Sequence, residues 1–295
     1  MTEIPVTPPD SPKAPPRPIP KLAGVCGWPI HHSLSPAMHS WWLRRMGIPG
    51  AYVPFLVRPD DAVRAFRTLP HTTIAGLNVT LPLKRLAFEA ADQRTDDAER
   101  LGVANTLYIR SGKLIAHNTD REGFAAPLLA RISADRLQHS TATVYGAGGA
   151  ARAVIGALID LGVPEIRLLA RRDAPARDLA ARTAIPSLYA VPWAERHDAA
   201  SGAALLVNAT SAGMKGLPAL DVDLTQASPG ALAYDLIYTP RDTPFLQAAR
   251  AQGLQTLDGL DMLIGQARPA FRQFFGQTPP VDLDPTDLLM ANLRD

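Results

Sequence analysis

Thr141 to Gly162 reads TATVYGAGGAARAVIGALIDLG, and this stretch decides the fold. A β-branched and aromatic run, Thr141 to Tyr145, meets a glycine-rich turn at Gly146, Gly148 and Gly149, and a helix rich in alanine, isoleucine and leucine then continues to Gly162. A glycine-rich turn between strand and helix presents unpaired backbone N–H groups and the positive end of the helix dipole to an anion. The missing side chains let a pyrophosphate approach. Gly146 and Gly148 take the first two positions of the dinucleotide fingerprint and Ala151 the third, where a small residue suffices for close helix–sheet packing. With a second strand, IRLLA, roughly 20 residues on, a bound dinucleotide outweighs a merely tight turn.

The end of that second strand separates the nicotinamide cofactors. Free ribose hydroxyls call for a carboxylate, whereas a 2′-phosphate calls for cationic forks. The chain continues Ala170, Arg171, Arg172, Asp173, so arginines come first and NADP is favoured. Asp173 would serve a ribose if the strand ended later.

Strands and helices alternate on both sides of the fingerprint. Downstream, ARRDAPARDLAART reads as a helix, ALLVNAT and GALAYDLIY as strands, and TPFLQAARAQG and GLDMLIGQARPAFRQFFG as helices. Upstream, KLAGVCGWPI gives a buried strand. SLSPAMHSWWLRRMGI gives a helix with Ser35 as its N-cap and Pro36 at the first helical position, stopping at Gly47. GAYVPFLV is a strand, RPDDAVRAFRTLP a helix, IAGLNVT a third strand, LKRLAFEAADQ a helix, and ANTLYIRSGKLIAHNTD two strands around a Ser-Gly turn. The alternation predicts an α/β fold whose upstream sheet is mainly parallel.

With 295 residues the chain is long enough for two domains or one large one. Thirty basic residues against 28 acidic ones leave a formal charge of +2, with no basic stripe, so nucleic acid is not an expected partner. No apolar run reaches the length of a bilayer. The single cysteine, Cys26, lies in an apolar run and reads as a buried, reduced, structural thiol of a cytoplasmic protein. The first 20 residues are rich in proline and lack the apolar segment of a secretory signal, which predicts an extended, poorly ordered tail. His31, His32 and His39 have no acidic or cysteine ligands grouped with them, and no metal is expected.

One lysine stands out against this frame. In GLNVTLPLKRLAFEAAD, Gly76 to Asp92, an apolar strand breaks at Pro82 and Lys84 opens the next helix. That is the wrong end of a helix for a positive charge, so its placement asks for another reason.

Seven segments, SLSPAMH, GLNVTLPLK, GVANTL, HNTD, GAGGAARA, NATSAGM and DGLDMLIGQA, follow one another in this order. With them the chain closely resembles the shikimate dehydrogenase family from Lys21 to about Phe275. The resemblance implies an N-terminal substrate-binding α/β domain (21–119, with 259–295 returning to it), a Rossmann-type NADP-binding domain (120–258) and a cleft between them. It implies reversible NADPH-dependent reduction of 3-dehydroshikimate to shikimate, a step of aromatic amino-acid and chorismate biosynthesis, in a cytoplasmic monomer or homodimer without membrane attachment.

The resemblance also assigns roles. It gives Ser33 and Ser35 the substrate carboxylate, and sets Asn78, Thr80, Asn105, Tyr238 and Gln266 around the polyol ring. It sets Gly146, Ala147, Gly148, Gly149, Ala150, Arg171, Arg172, Thr210, Gly259 and Met262 against the cofactor. Lys84 and Asp120 become the catalytic pair. A ring ketone takes a hydride at carbon and a proton at the developing alkoxide; a lysine ammonium can stabilise that charge and supply the proton, while Asp120 orients it and favours its charged form.

Some residues depart from the family pattern. Ala170-Arg171-Arg172 stands in place of an asparagine-arginine-threonine triplet, Arg121 and Asp261 stand where glycines are common, and the proline-rich tail has no counterpart. Two alternatives stay open: an enzyme that also oxidises quinate, with NAD, and a non-catalytic binding protein of the same fold.

Overall fold

A computed structural model of the chain describes residues 19–293. The expectation for the proline-rich tail therefore lies outside the described residues, apart from Ile19 and Pro20.

The first lobe is built from β1 (Lys21–Gly27), α1 (Ser35–Arg45), β2 (Gly50–Leu56), α2 (Pro59–Arg67), β3 (Ile74–Val79), α3 (Lys84–Ala90), β4 (Gln93–Arg94), α4 (Asp96–Leu101), β5 (Thr106–Arg110) and β6 (Lys113–His117). Its six strands lie in the order β2-β1-β3-β5-β6-β4. Every pairing is parallel except those of β5, which runs against both β3 and β6. The reversal follows from the connection: Ser111 and Gly112, at φ 52° and 72°, join β5 to β6, and two successive left-handed residues make the tight turn whose twist suits a hairpin.

Two elements here had no counterpart in the sequence reading. β4 has too few residues to show a period. α4 is short and rich in acids, but its ends carry the usual signals: Thr95 accepts a hydrogen bond from the Ala98 N–H, and Gly102 closes it at φ 66°. The start of α1 is corrected by one residue. Leu34, itself in the helical region, is the N-cap; Ser35 is already helical, Pro36 comes second, and Ser33 Oγ accepts from the Ser35 N–H at 3.3 Å.

The second lobe comprises α5 (Asp120–Leu129), α6 (Ala134–Gln138), β7 (Thr141–Tyr145), α7 (Gly149–Asp160), β8 (Glu165–Leu169), α8 (Asp173–Thr183), β9 (Leu188–Ala190), β10 (Ala203–Asn208), β11 (Leu232–Asp235), α9 (Pro244–Ala251) and β12 (Gln255–Leu257). All pairings are parallel, in the order β12-β11-β10-β7-β8-β9. The chain winds outward from β7 to β9 and then crosses back to β10. The crevice of such a sheet opens at that switch, outside the carboxyl ends of β7 and β10. β10 is buried along its whole length, as a parallel strand covered on both faces must be.

α10 (Gly259–Phe275) and α11 (Thr286–Asn292) then return to the first lobe. Ala270, Phe271, Phe274 and Phe275 of α10 join Met38, Trp42 and Tyr52 in one apolar core. Asp258 caps this helix and Asp261 reaches back to the Asp258 N–H at 3.2 Å, so the acid found where a glycine is common completes a capping box. α10 also crosses α5 at close range. A Cβ on Gly123 would lie 2.6 Å from the Gln266 backbone nitrogen, and one on Gly265 2.5 Å from the Gly123 carbonyl oxygen. Only glycines let these backbones meet, and their meeting brings Asp120 and Gln266 into one place.

His39 lies fully buried in the first-lobe core, stacked on Tyr52 at 4.0 Å, and neither ring nitrogen has a hydrogen-bond partner among the described residues. Burial pushes its pKa down to about 3. The unfolded chain therefore takes up this proton near pH 6.5 and the folded one does not, so stability is whole above that pH and is lost as pH falls from there toward 3. In urea titrations across this range, His39→Phe is expected to flatten the decline by up to about 1.4 kcal/mol per pH unit. Equal slopes for the two proteins would show that the ring is not held neutral.

Candidate active site

A cavity of about 260 Å³ lies between the lobes. Ser33, Ser35, Asn78, Thr80, Lys84, Asn105, Asp120, Tyr238 and Gln266, all nine residues expected to act on the substrate, line it, and so do Ala150, Gly259 and Met262, three of those expected to meet the cofactor. They come from the carboxyl ends of β3 and β11, the loop before β5, and the first turns of α1, α3 and α5, with Gln266 from the middle of α10.

Lys84 Nζ stands 2.6 Å from Asp120 Oδ2, with the two side chains 24% and 10% exposed. Compare Arg85–Glu89 on the same helix, 80% and 44% exposed, which solvent reduces to at most about 1 kcal/mol. Breaking a well-buried pair instead strands a charge, a loss of about 3–5 kcal/mol. Asp120 is fixed at several points besides Lys84. Its Oδ1 accepts from Asn105 Nδ2 at 2.8 Å, its N–H donates to Asn118 Oδ1 at 2.9 Å, and it sits at a helix N-terminus that favours an acid. An ammonium has three donors, and among the described residues Lys84 spends one on Asp120. The others remain for a group in the cavity.

Four supporting residues escaped the sequence reading. The Tyr52 hydroxyl donates to Asn78 Oδ1 at 2.7 Å, and Asn78 Nδ2 donates to Thr106 Oγ1 at 3.2 Å. The Thr119 N–H donates to Asn105 Oδ1 at 2.9 Å, its hydroxyl donates to Gln266 Oε1 at 3.3 Å, and Asn118 holds the Asp120 backbone. Thr106 lies inside the segment GVANTL, and Asn118 and Thr119 inside HNTD, so a polar run at two strand ends was their signal. Tyr52, inside an ordinary strand pattern, had none. Tyr238 is largely buried, which raises its phenol pKa and keeps the hydroxyl protonated at neutral pH.

On the second lobe, α7 begins at Gly149 with Gly148 as its N-cap and no side chain over its first amides. A Cβ on Gly148 or Gly149 would meet nothing within 4 Å, so the anion-binding end of the helix is open. Gly146, at φ 118°, turns the chain where a Cβ would strike the Ala209 carbonyl at 2.7 Å, and Ala147 bridges the turn. Thr210 is held by Asn208 Oδ1, which accepts from its hydroxyl at 2.7 Å, and Asn208 Nδ2 in turn donates to the buried Asp235 carboxylate at 3.1 Å. Gly146, Ala147, Gly148, Gly149, Arg171, Arg172 and Thr210 lie outside the cavity.

Asp173 is already engaged. Its Oδ1 accepts the Trp193 N–H at 2.9 Å, whereas Arg171 and Arg172, just past β8, are exposed and carry no hydrogen bond or ion pair to other described residues. The end of β8 thus offers two guanidinium groups, the chemistry that a phosphate asks for. Among the described residues no three His, Cys, Asp or Glu side chains group in a way that could hold a metal ion, and no helix is long and apolar enough to cross a membrane.

Comparison with known proteins agrees with this geometry. Residues 25–107 match the shikimate dehydrogenase substrate binding domain, and residues 259–283 match the shikimate 5'-dehydrogenase C-terminal domain. The chain is 47% identical to the shikimate dehydrogenase (NADP(+)) of Rhodospirillum rubrum, over 89% of this chain and 94% of that one. It superposes on the Thermus thermophilus shikimate 5-dehydrogenase in complex with NADP(H) and shikimate with a TM-score of 0.76 at 34% identity, over 93% and 99% of the two chains. A quinate dehydrogenase from Corynebacterium glutamicum in complex with NAD gives 0.82 at 29% identity, over 94% and 99%.

Removing both exposed guanidinium groups should isolate their contribution. For the double variant Arg171→Ala, Arg172→Ala, KM for NADP is expected to rise about 10- to 100-fold, the worth of one charge-assisted hydrogen bond or slightly more. KM for NAD should hardly move. A parallel rise for both cofactors would take the arginines away from the 2′-phosphate.

Proposed function

The chain belongs to the shikimate dehydrogenase family, and from that premise we propose that Lys84 and Asp120 are its catalytic pair and that Ser33, Ser35, Asn78, Thr80, Asn105, Tyr238 and Gln266 hold the substrate. The protein is an NADP-dependent shikimate dehydrogenase, an oxidoreductase interconverting 3-dehydroshikimate and shikimate. The observation that carries the assignment of the pair is the 2.6 Å contact of Lys84 with Asp120 inside the interlobe cavity.

Bound NADPH supplies the hydride. The chain's own residues do the rest. Ser33 and Ser35, at the start of α1, offer hydroxyl donors beside a helix dipole that favours the substrate carboxylate. Asn78, held by Tyr52 and Thr106, and Asn105, held by Thr119, present amides already fixed in orientation, so binding the polyol hydroxyls costs little side-chain ordering. Lys84 Nζ holds a proton at the ketone oxygen as alkoxide character develops, and the Asp120 carboxylate keeps that ammonium aimed. In the reverse direction the same nitrogen takes the hydroxyl proton.

The reading divides the labour between lobes: residues 21–119 with 259–295 hold the substrate, and residues 120–258 hold the cofactor along α7. It places the protein in the cytoplasm, where a lone thiol such as Cys26, buried and pushed up to about 12, stays reduced and unreactive. A monomer or a homodimer would serve equally, since every residue assigned to the site comes from one chain.

Lys84→Ala is expected to lower kcat about 10²- to 10⁴-fold while KM for shikimate changes little, as befits a group acting on the transition state. Near-normal turnover would remove Lys84 from the chemistry. Shikimate and quinate, each paired with NADP and with NAD, give the companion assay. Turnover should be fastest with shikimate and NADP; quinate turnover with NAD would move the protein to the dual-specificity branch, and silence in all four would leave a binding protein.

A further inference from the structure

Asp120 and Arg121 are consecutive in the first turn of α5, and both are buried, at 7% and 8% exposure. Asp120 faces the cleft. Arg121 instead enters the seam between α4 of the first lobe and α7 of the second. Its Nη1 donates to Asp97 Oδ1 at 2.6 Å, while Nη2 pairs with Asp160 and reaches the Gly156 carbonyl at 3.5 Å. Asp160 also receives Arg100 Nη1, from α4, at 3.4 Å. Gly156 makes the room, because a Cβ there would lie 3.1 Å from Arg121 Nε. Asp97 belongs to one lobe and Asp160 to the other, so a single guanidinium clips the two together outside the substrate cavity.

The main chain crosses between the lobes twice, from β6 into α5 and from β12 into α10, and those two helices meet at Gly123 and Gly265. That contact and the two crossings join the lobes there. Arg121 stands beside the first crossing and ties α4 to α7. On the proposed reading, hydride donor and ketone would be held by different lobes, and a misplacement of about 1 Å can cost 100-fold in rate. A planar fork can engage two carboxylates at once, which a lysine cannot do with the same fixed geometry.

We infer that Arg121 is a positioning residue: by clamping α4 to α7 it sets the angle between the lobes and the orientation of the first turn of α5, and so holds Asp120 against Lys84. The inference rests on the reading of Lys84 and Asp120 as the catalytic pair.

The test compares Arg121→Leu, Arg121→Lys and Asp97→Asn with the unaltered protein, measuring kcat, KM for shikimate and for NADP, and thermal midpoint. Arg121→Leu is expected to lower kcat/KM by about 10-fold or more, with kcat itself reduced. Asp97→Asn should move in the same direction by less, and Arg121→Lys should recover part of the loss. The combination of Arg121→Leu with Asp97→Asn should be no slower than Arg121→Leu alone. A lowered midpoint with kcat and both KM values within about 2-fold of the unaltered protein would reduce Arg121 to a stability residue and overturn the inference. Should Arg121→Leu fail to fold, unchanged kcat in both Asp97→Asn and Arg121→Lys overturns it equally. Lys84→Ala separates the two failures: if that variant is inactive and the Arg121 variants are normal, only the positioning role falls; if it is active, the catalytic pair falls and the inference with it.

Discussion

Asp120 is a carboxylate almost wholly withdrawn from water, and such a charge persists only where other groups replace the water it has lost. Lys84, Asn105 and its own helix N-terminus do so here. Lys84 opens α3 and Asn105 immediately precedes β5, so satisfying one side chain fixes the starts of both elements relative to α5. The glycine contact of α5 with α10 follows from the same need. Were either Gly123 or Gly265 larger, the helices would part, and Gln266 would leave Asn105 and Thr119. Stability of the junction and readiness of the site are therefore the same set of contacts.

In the proposed function, anion recognition is solved twice with one device. The start of α1 presents Ser33 and Ser35, and the start of α7 presents bare backbone, with Gly148 and Gly149 leaving space above it. The difference follows from what approaches. A small carboxylate is met by side-chain hydroxyls that reach out to it, whereas a pyrophosphate needs the helix end itself to come close. The two ends open toward one crevice from opposite lobes, and the switch in strand order between β7 and β10 is what leaves the crevice there.

How much of this the sequence disclosed depends on the range of the interaction. Local signals were plain: the glycine turn of α7, Lys84 at the wrong end of a helix, Arg171 and Arg172 past the end of a strand. Short elements without a period, β4, β9 and β12, were not. The Ser35 cap was misassigned by one residue because Leu34 takes a helical conformation that residue preferences do not reveal. Tyr52 bonding Asn78 and Arg121 joining Asp97 to Asp160 join residues 24 to 39 positions apart in the chain, and no spacing rule reaches that far. Asp261 shows the converse. It stands out as a departure from a family pattern, yet its side chain closes a capping box.

The other buried titratable groups of the molecule make the cleft's electrostatics intelligible. Cys26 and His39 have no charged partner, and burial drives both to their neutral forms, the thiol up to about 12 and the imidazole down to about 3. Asp235 is held between these extremes: burial raises its pKa, while Thr243, the Ile237 N–H and Asn208 pull it down by bonding the carboxylate. What distinguishes the Lys84–Asp120 site is that two opposite charges face one another at the edge of a cavity, with a donor to spare on the lysine. A buried charge with every bond used is structural. One whose partner still has an unspent proton, at the edge of a cavity, suits the chemistry proposed for it, and the Arg121 seam beside it is the contact proposed to hold it there.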